Sequence, residues 1–365
     1  MFLNTEFLST LILFALTPKD GTLGPWRSQQ FSNPQARIGH PRLFSTLVGR
    51  PVEESKYIGL LQWLEENGAF ISDKIELTKS AQGDGYGAFV SQPVEAGELL
   101  FQIPRGLCLT LEDATKNDED CGEAFQALID KAGPGANTVV MAAFMAKEYL
   151  VSQEKSDNKQ SSWGPYFATL PWERGINNQE HILFYTEENL EKLRGSLCWE
   201  EANALRDEVA LAIKILGPVI SKPIREARGE DTGFKFPWQV TQQQEVEGLS
   251  DAIKGAFVCL LTRSFQDGDD DAEKLVPLLD LLQHSETPNI RHEMKVSQGL
   301  AVVVRARCDI EAGTELRNQY RSEEEESMPY ARFFTRFGFV PGITEPIENL
   351  LQDKSSIFFP KKMEV

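Results

Sequence analysis

The sequence lacks the features that mark several common classes of protein. Its five cysteines are scattered along 365 residues and never form a C-x-x-C pair, so neither a disulfide framework nor a zinc site is predicted. No apolar run is long enough to cross a bilayer. Lys and Arg number 37 against 55 Asp and Glu, and the formal net charge of −18 argues against nonspecific binding to nucleic acid.

The remaining composition is ordinary for a globular protein. A hydrophobic content of 41% and a charged content of 25% allow one large domain or two, with an ample core. A strongly acidic surface attracts basic partners over long range, although solubility alone also accounts for it. We expect a monomer that binds neither nucleic acid nor membranes.

The first fifty residues differ from the rest. Phe7–Leu16 is a short apolar run, and residues 21–50 contain four arginines but no Asp or Glu. An acid-poor, Arg-bearing segment is typical of an organelle transit peptide. An apolar run before it would suit a two-part targeting signal for import into a plastid. The alternative is a disordered tail on a cytoplasmic protein. Residues 1–50 are therefore left outside the predicted fold.

The rest of the chain contains short strands and a block of helices. Lys56–Asn67 has helical spacing, and strand-like pieces follow that Gly and Pro separate, which predicts small antiparallel sheets. These pieces are Ile75–Leu77, Tyr86–Val90, Glu98–Ile103 and Leu107–Thr110. Further helices are predicted from a cap at Asn137, at Trp199–Leu216, from a capping box at Thr241–Gln244 towards Phe265, and at Pro329–Arg336. Asp267–Asp271 is predicted to be an exposed acidic loop, and Leu300–Val304 a strand.

Leu275–Tyr320 is the stretch around which the chain is organised. It opens with an apolar run that turns polar at Gln283-His284-Ser285, and it closes on Tyr320. A buried run that delivers a His, followed by a second segment that delivers a Tyr, can place both side chains in one pocket. Taken singly, His284 is more often a hydrogen-bonded core residue, and Tyr320 is more often an amphipathic rim residue.

Two further features could complete a ligand site. Asp84-Gly85-Tyr86-Gly87 lies between two strands, where glycines let the backbone approach a ligand, although alone it is more often a tight turn. Arg263 lies near the end of a helix, where a guanidinium balances the helix dipole or grips a carboxylate in a bidentate fork. His284 and His292 lack the spacing of metal ligands, so no metal is expected.

Six motifs, taken in order, resemble those of SET-domain protein methyltransferases, and more narrowly of the Rubisco large-subunit methyltransferase-like branch. They are Gly85–Phe89, Trp163–Tyr166 with Leu170-Pro171, Thr262–Phe265, Val276–Ser285, Gly313–Tyr320 and Tyr330–Val340. The resemblance implies an α+β SET fold over residues 51–342, with small curled β-sheets, a large helical insert at about 111–255, and a pseudoknot formed by the C-terminal segment. The tail 343–365 would then lack most of the helical substrate-binding domain that relatives carry.

The resemblance also implies an S-adenosylmethionine-dependent protein-lysine N-methyltransferase that acts on a non-histone protein. The cofactor would be bound by Asp84, Gly85, Tyr86, Arg263, Gln283 and His284, with Arg263 on its carboxylate. Tyr320 would be the catalytic residue, beside the basic acceptor residue of the protein substrate. Histidine as the acceptor and a catalytically silent binding module are the alternatives.

Three positions depart from the family pattern. Gln283 replaces the usual Asn before His284, Arg321 stands where a glycine often follows the tyrosine, and Phe337 stands where a second tyrosine often occurs. Methyl transfer itself needs an uncharged amine in line with a sulfonium carbon, so the site must desolvate the amine and align it.

Overall fold

The computed structural model describes residues 52–80, 85–154, 161–172, 181–230, 246–267, 270–294, 296, 299–320 and 330–338. The predicted transit segment, Asp84, the capping box at Thr241–Gln244, Arg321 and the tail 343–365 lie outside these ranges. Import into a plastid therefore stays a prediction.

An amphipathic helix opens the described chain. This helix, α1 (Val52–Glu66), buries Leu60 and Leu64 completely. Shortly after it, Gly68 takes a φ of +90°, which suits a helix stop because glycine has no Cβ to strain. The helix predicted at Lys56–Asn67 is confirmed and begins a few residues earlier.

Ten short strands in the described ranges form four small sheets. They are β1 (Phe70–Ile71), β2 (Ile75–Lys79), β3 (Tyr86–Val90), β4 (Leu99–Ile103), β5 (Phe265–Asp267), β6 (Asp270–Lys274), β7 (Gln283–His284), β8 (Ile290–Glu293), β9 (Val302–Ala306) and β10 (Arg317–Asn318). The largest sheet is antiparallel, in the order β1-β4-β9-β8. β2 pairs with β3 and β5 with β6 in antiparallel fashion, whereas β7 and β10 are parallel. The predicted small antiparallel sheets are confirmed.

A helical region lies between β4 and β5. Its helices are α2 (Leu111–Thr115), α3 (Gly122–Ala132), α4 (Asn137–Gln153), α5 (Gly164–Phe167), α6 (Glu187–Glu191), α7 (Leu197–Ala227) and α8 (Leu249–Arg263). α4 is buried along most of its length and packs against both α7 and α8. A Cβ at Gly255 would lie 2.5 Å from the carbonyl oxygen of Trp172, so glycine allows α8 to approach that segment closely. A last helix, α9 (Tyr330–Phe337), follows β10 and packs against α7 and α8.

Several predicted boundaries in this helical region are wrong. Asn137 does not cap α4, because a 3₁₀ turn at Pro134–Ala136 runs directly into the helix and Asn137 is already helical at φ −58°, ψ −50°. α8 begins at Leu249 rather than at Thr241, with Gly248 at its N-cap in a left-handed conformation at φ +78°. The helix predicted at Trp199–Leu216 extends to Leu197–Ala227. α8 continues to Arg263, and the bounds of the helical insert, at about 111–255, stay a prediction.

One strand prediction also needs correction. Leu107–Thr110 is not a strand: Arg105–Leu107 is a 3₁₀ turn, and Leu109 forms only an isolated bridge with Leu275. Within the acidic run Asp267–Asp271, predicted to be an exposed loop, Asp267 ends β5 and lies opposite Asp270, the first residue of β6. The two residues between them lie outside the described ranges. The strand predicted at Leu300–Val304 is confirmed with a shift of two residues, as β9.

The apolar run Leu275–Leu282 is buried, as predicted, but it does not form a strand. Leu278 takes φ +72° and ψ −42°, a conformation that costs a non-glycine residue about 1–3 kcal/mol. This bend leads into a 3₁₀ turn at Leu279–Leu281 and then into β7. The bend turns Asp280 inward beneath the end of α8, where its main-chain carbonyl meets Arg263.

None of the helices in the described ranges combines the length and apolar composition that crossing a bilayer would require. In the same ranges, His, Cys, Asp and Glu side chains form no group of three or more that could hold a metal ion.

Candidate active site

The site is built where two distant segments of the chain lie side by side. β7 and β10 pair in parallel, with Arg317 opposite Gln283 and Asn318 opposite His284. The Ser285 N–H donates to the Asn318 carbonyl at 2.8 Å and continues this contact. The crossing therefore brings Tyr320, two residues past β10, next to the end of the buried run.

The segment before β10 is fixed on both sides. The Asn289 side-chain amide donates to the Glu315 carbonyl at 2.8 Å, and its oxygen accepts from the Arg317 N–H at 2.7 Å. On the other side, the Leu316 N–H donates to the Ala88 carbonyl at 2.7 Å. The glycine-containing strand β3 thus lies against the same segment that delivers Tyr320.

Tyr320 is held by the run it crosses. Its hydroxyl donates a hydrogen bond of 2.9 Å to the Leu282 carbonyl. Its ring lies 5.2 Å from the ring of His284 and 5.6 Å from that of Phe337, measured between centroids. Burial raises the pKa of Tyr320 to about 12, and the positive charge of Arg263 opposes that rise. The phenol is therefore protonated at neutral pH.

His284 joins the two crossing segments. Its Nδ1 accepts from the Tyr320 main-chain N–H at 3.1 Å, so this nitrogen carries no proton. Its Nε2 faces a carboxylate oxygen of Glu286 at 3.3 Å. The ring also lies 5.8 Å from that of Phe333 on α9. His284 was predicted to bind the cofactor, and in the structure both of its ring nitrogens have partners within the protein.

Arg263 ends α8 with its side chain almost entirely buried. Its Nη1 donates to the Asp280 main-chain carbonyl at 2.8 Å and lies 3.8 Å from Oδ2 of the same residue. Its Nε has no acceptor among the described residues. Asp280 is itself fully buried, which raises the pKa of its carboxyl to about 6 although Arg263 and Tyr166 both favour the charged form. A buried guanidinium with unused donors can receive a carboxylate.

The glycine-containing strand forms another wall of the site. The Gln283 side-chain amide lies 3.5 Å from the Tyr86 carbonyl, which is a long contact. The Tyr86 ring stacks on that of Tyr57 with centroids 4.1 Å apart. A Cβ at Gly87 would collide with the carboxylate of Glu315, so only glycine fits there without displacing that side chain.

The structure brings Gly85, Tyr86, Arg263, Gln283, His284 and Tyr320 around one crossing, and Asp84 lies outside the described residues. Their roles stay predictions. Three buried residues of this region are not among the site residues predicted from the sequence: Tyr166, Asp280 and Glu315. Asp280 had a signal, because it is the only charged residue in an otherwise apolar run, and a buried charge needs partners.

Small sheets, a helical insert and a crossing that joins a histidine segment to a tyrosine segment define an α+β domain of the SET type. Residues 85–321 match the family model described as SET domain, which is more than half of the chain. The chain therefore belongs to the SET-domain family, and the predicted fold is confirmed.

Known proteins agree with this assignment. N-lysine methyltransferase SETD6 of Mus musculus is 25% identical over 267 residues, 71% of this chain and 50% of the relative. Actin-histidine N-methyltransferase of Xenopus tropicalis is 26% identical over 143 residues, 39% of this chain and 22% of the relative. A crystal structure of the SET domain of LSMT bound to lysine and AdoHcy aligns with a TM-score of 0.58 and 18% identity, over 80% of this chain and 58% of that one. The chain spans about half the length of the SETD6 relatives that it matches over most of its length.

Proposed function

We propose that the protein is an S-adenosylmethionine-dependent protein-lysine N-methyltransferase. The observation that carries the proposal is the crossing of β7 and β10, which places Tyr320 close enough to Arg263 for the positive charge of Arg263 to lower the pKa of Tyr320. β3 lies against the same crossing, and Arg263 Nε has no acceptor among the described residues. The lysine methyltransferases among the similar proteins support lysine as the acceptor. A solved structure of Rubisco LSMT bound to AdoMet, similar in fold at a TM-score of 0.56, supports the cofactor.

The residues present fit this cofactor. Its carboxylate needs a cation, and Arg263 offers a buried Nε–H without an acceptor among the described residues. Its amino-acid and adenine parts need exposed backbone groups, which the strand around Gly85 and Gly87 can present. Arg263, the Gly85–Gly87 backbone, Gln283 and His284 would hold it. S-adenosylmethionine supplies, when bound, an electrophilic methyl group on a sulfonium.

The chain's own residues would prepare the amine. A lysine that enters the apolar surroundings of Leu282 and Phe337 loses solvation, which lowers its pKa and favours the uncharged form. The Tyr320 hydroxyl donates its hydrogen bond to the Leu282 carbonyl, so its oxygen can accept a hydrogen bond from an N–H of the amine. This hydrogen bond would orient the nitrogen lone pair for in-line attack, in which the N–C bond forms as the C–S bond breaks.

The substrate is proposed to be a protein segment with a basic acceptor residue. The net charge of −18 favours the approach of a basic segment through long-range attraction. Steering of this kind weakens as salt rises, so the association rate should fall with ionic strength.

The test has two stages. Calorimetric titration with S-adenosylmethionine should show binding, and mass spectrometry of extracts incubated with the protein and isotopically labelled cofactor should find label on lysine. Tyr320→Phe is the matched control, since it should bind the cofactor but transfer little label. Label on histidine would instead favour the activity of the actin-histidine relatives, and absence of binding would leave a silent binding module.

A further inference from the structure

Tyr166 is a buried phenol for which the proposed mechanism has no role. It lies on α5, is completely buried, and its ring is 5.9 Å from that of Phe167. Its hydroxyl donates a hydrogen bond of 2.8 Å to Oδ2 of Asp280. Burial and the neighbouring Asp280 carboxylate raise the pKa of Tyr166 well above its ordinary value, so the phenol keeps the proton that it donates.

Asp280 connects this phenol to Arg263. Its Oδ2 accepts from Tyr166 and lies 3.8 Å from Arg263 Nη1, while its main-chain oxygen accepts from the same Nη1 at 2.8 Å. Its Oδ1 has no partner in the part of the chain that the structure describes. A fully buried carboxylate with so few donors is costly to keep charged, so each hydrogen bond to it matters.

We propose that Tyr166 is a positioning residue for cofactor binding: its hydrogen bond holds the Asp280 carboxylate as an anion against Arg263, and thereby keeps the guanidinium turned towards the ligand carboxylate. This inference rests on the proposed function. Without the hydroxyl, the buried Asp280 carboxyl would take up a proton more readily, because it would lose a donor that stabilises its charged form. Arg263 would then lose the anion that fixes its guanidinium, and its remaining donors would no longer be held facing the ligand.

The experiment compares two ligands that differ in one group. Decarboxylated S-adenosylmethionine keeps the sulfonium and the amine but lacks the carboxylate that Arg263 would bind. Calorimetry should show that Tyr166→Phe binds S-adenosylmethionine roughly tenfold more weakly than the parent, the affinity equivalent of one hydrogen bond to a charged group. Its affinity for the decarboxylated ligand should stay within about twofold of the parent. A defect in packing alone would weaken both ligands alike.

Two further variants sharpen the comparison. Tyr149→Phe is the matched control, because it also removes a phenol hydroxyl from the helical insert. The Tyr149 ring stacks on Trp172 and so lies against a different neighbour from that of Tyr166. This variant should bind both ligands as the parent does. Asp280→Asn keeps the shape of the side chain and removes its charge, so it should reproduce the selective loss. In the Asp280→Asn background, Tyr166→Phe should add little, because both changes break the same chain of contacts.

The outcomes separate the inference from the proposed function. If the parent binds neither ligand, the proposed function fails and the inference falls with it. If the parent prefers the ligand with the carboxylate and Tyr166→Phe keeps that preference in full, only the inference is overturned. Equal losses for both ligands also overturn it. Thermal unfolding will show whether Tyr166→Phe is folded. If it is not, Asp280→Asn becomes the test, and an unchanged preference of that variant for the ligand with the carboxylate would refute the inference.

Discussion

Acid should loosen the contact between the helical insert and α9 through His181. This side chain is almost completely buried, and it caps the 3₁₀ turn Ile182–Phe184. Its Nδ1 accepts from the Leu183 N–H at 3.2 Å, so the proton of the neutral ring is on Nε2, which faces the Arg336 carbonyl at 3.2 Å. Protonation would place a second N–H against the Leu183 N–H, two donors face to face.

The magnitude follows from the shift in pKa. Burial lowers the pKa of His181 from 6.5 to about 4, although main-chain carbonyls of Arg336 and Thr335 oppose the change. A depressed pKa means that the unfolded chain binds the proton more readily than the folded one. The stabilisation is therefore complete above pH 6.5 and is lost as pH falls towards 4, at about 1.4 kcal/mol per pH unit and about 3 kcal/mol in all.

Urea unfolding at pH 7.5, 6.5, 5.5 and 5.0 would measure this effect. His181→Asn keeps an acceptor for the Leu183 N–H but cannot be protonated, so its stability should fall less steeply with acid. The difference in free energy of unfolding between parent and variant should be constant above pH 7 and narrow below it. Contributions from surface carboxylates are common to both proteins and cancel. A difference that stays constant down to pH 5 would refute the reasoning.

Four other changes have definite expected outcomes. Tyr320→Phe should leave cofactor affinity nearly intact and lower turnover about 10–100-fold, because it removes a hydroxyl that would orient the amine; equal turnover in steady-state assays would exclude that role. Arg263→Ala should weaken cofactor binding about tenfold or more in calorimetry, and an unchanged Kd would count against the predicted carboxylate contact. Gly87→Ala should destabilise the fold by about 1–3 kcal/mol in urea unfolding, and Glu315→Ala should relieve most of this loss; additive losses would contradict the steric reason. Lys147→Ala should cost about 3–5 kcal/mol in the same assay because Lys147 forms a buried 2.6 Å ion pair with Asp118; a loss below about 1 kcal/mol would show that the pair is not a strong one.

Local sequence patterns were sufficient for the parts of the fold that depend on near neighbours. The spacing of apolar residues located α1 and α9, and Gly and Pro located the strands around β3 and β4. Errors arose where a distant contact decided the outcome. The run at Leu107–Thr110 has strand composition, yet within the described part of the chain its one strand-like partner is Leu275.

The same distinction between local and distant contacts applies to the candidate site. Its members were predictable as a set because motifs in a fixed order resemble a known family. The contacts that hold them were not predictable, since the bond from Tyr166 to Asp280 joins residues 114 positions apart. Likewise, the close approach of Gly87 to the Glu315 side chain depends on how two remote segments of the chain pack together.

The pairing of β7 with β10 also affects the order in which the chain folds during synthesis. During synthesis, Arg263 and His284 emerge from the ribosome before the stretch that must lie beside them. The site is thus assembled only after residue 320 has been released and has come to rest against the earlier part of the chain. Closure of this kind, between stretches far apart in sequence, is slow compared with forming a helix. A newly made chain should therefore acquire its helical insert first and its ability to bind a small ligand last.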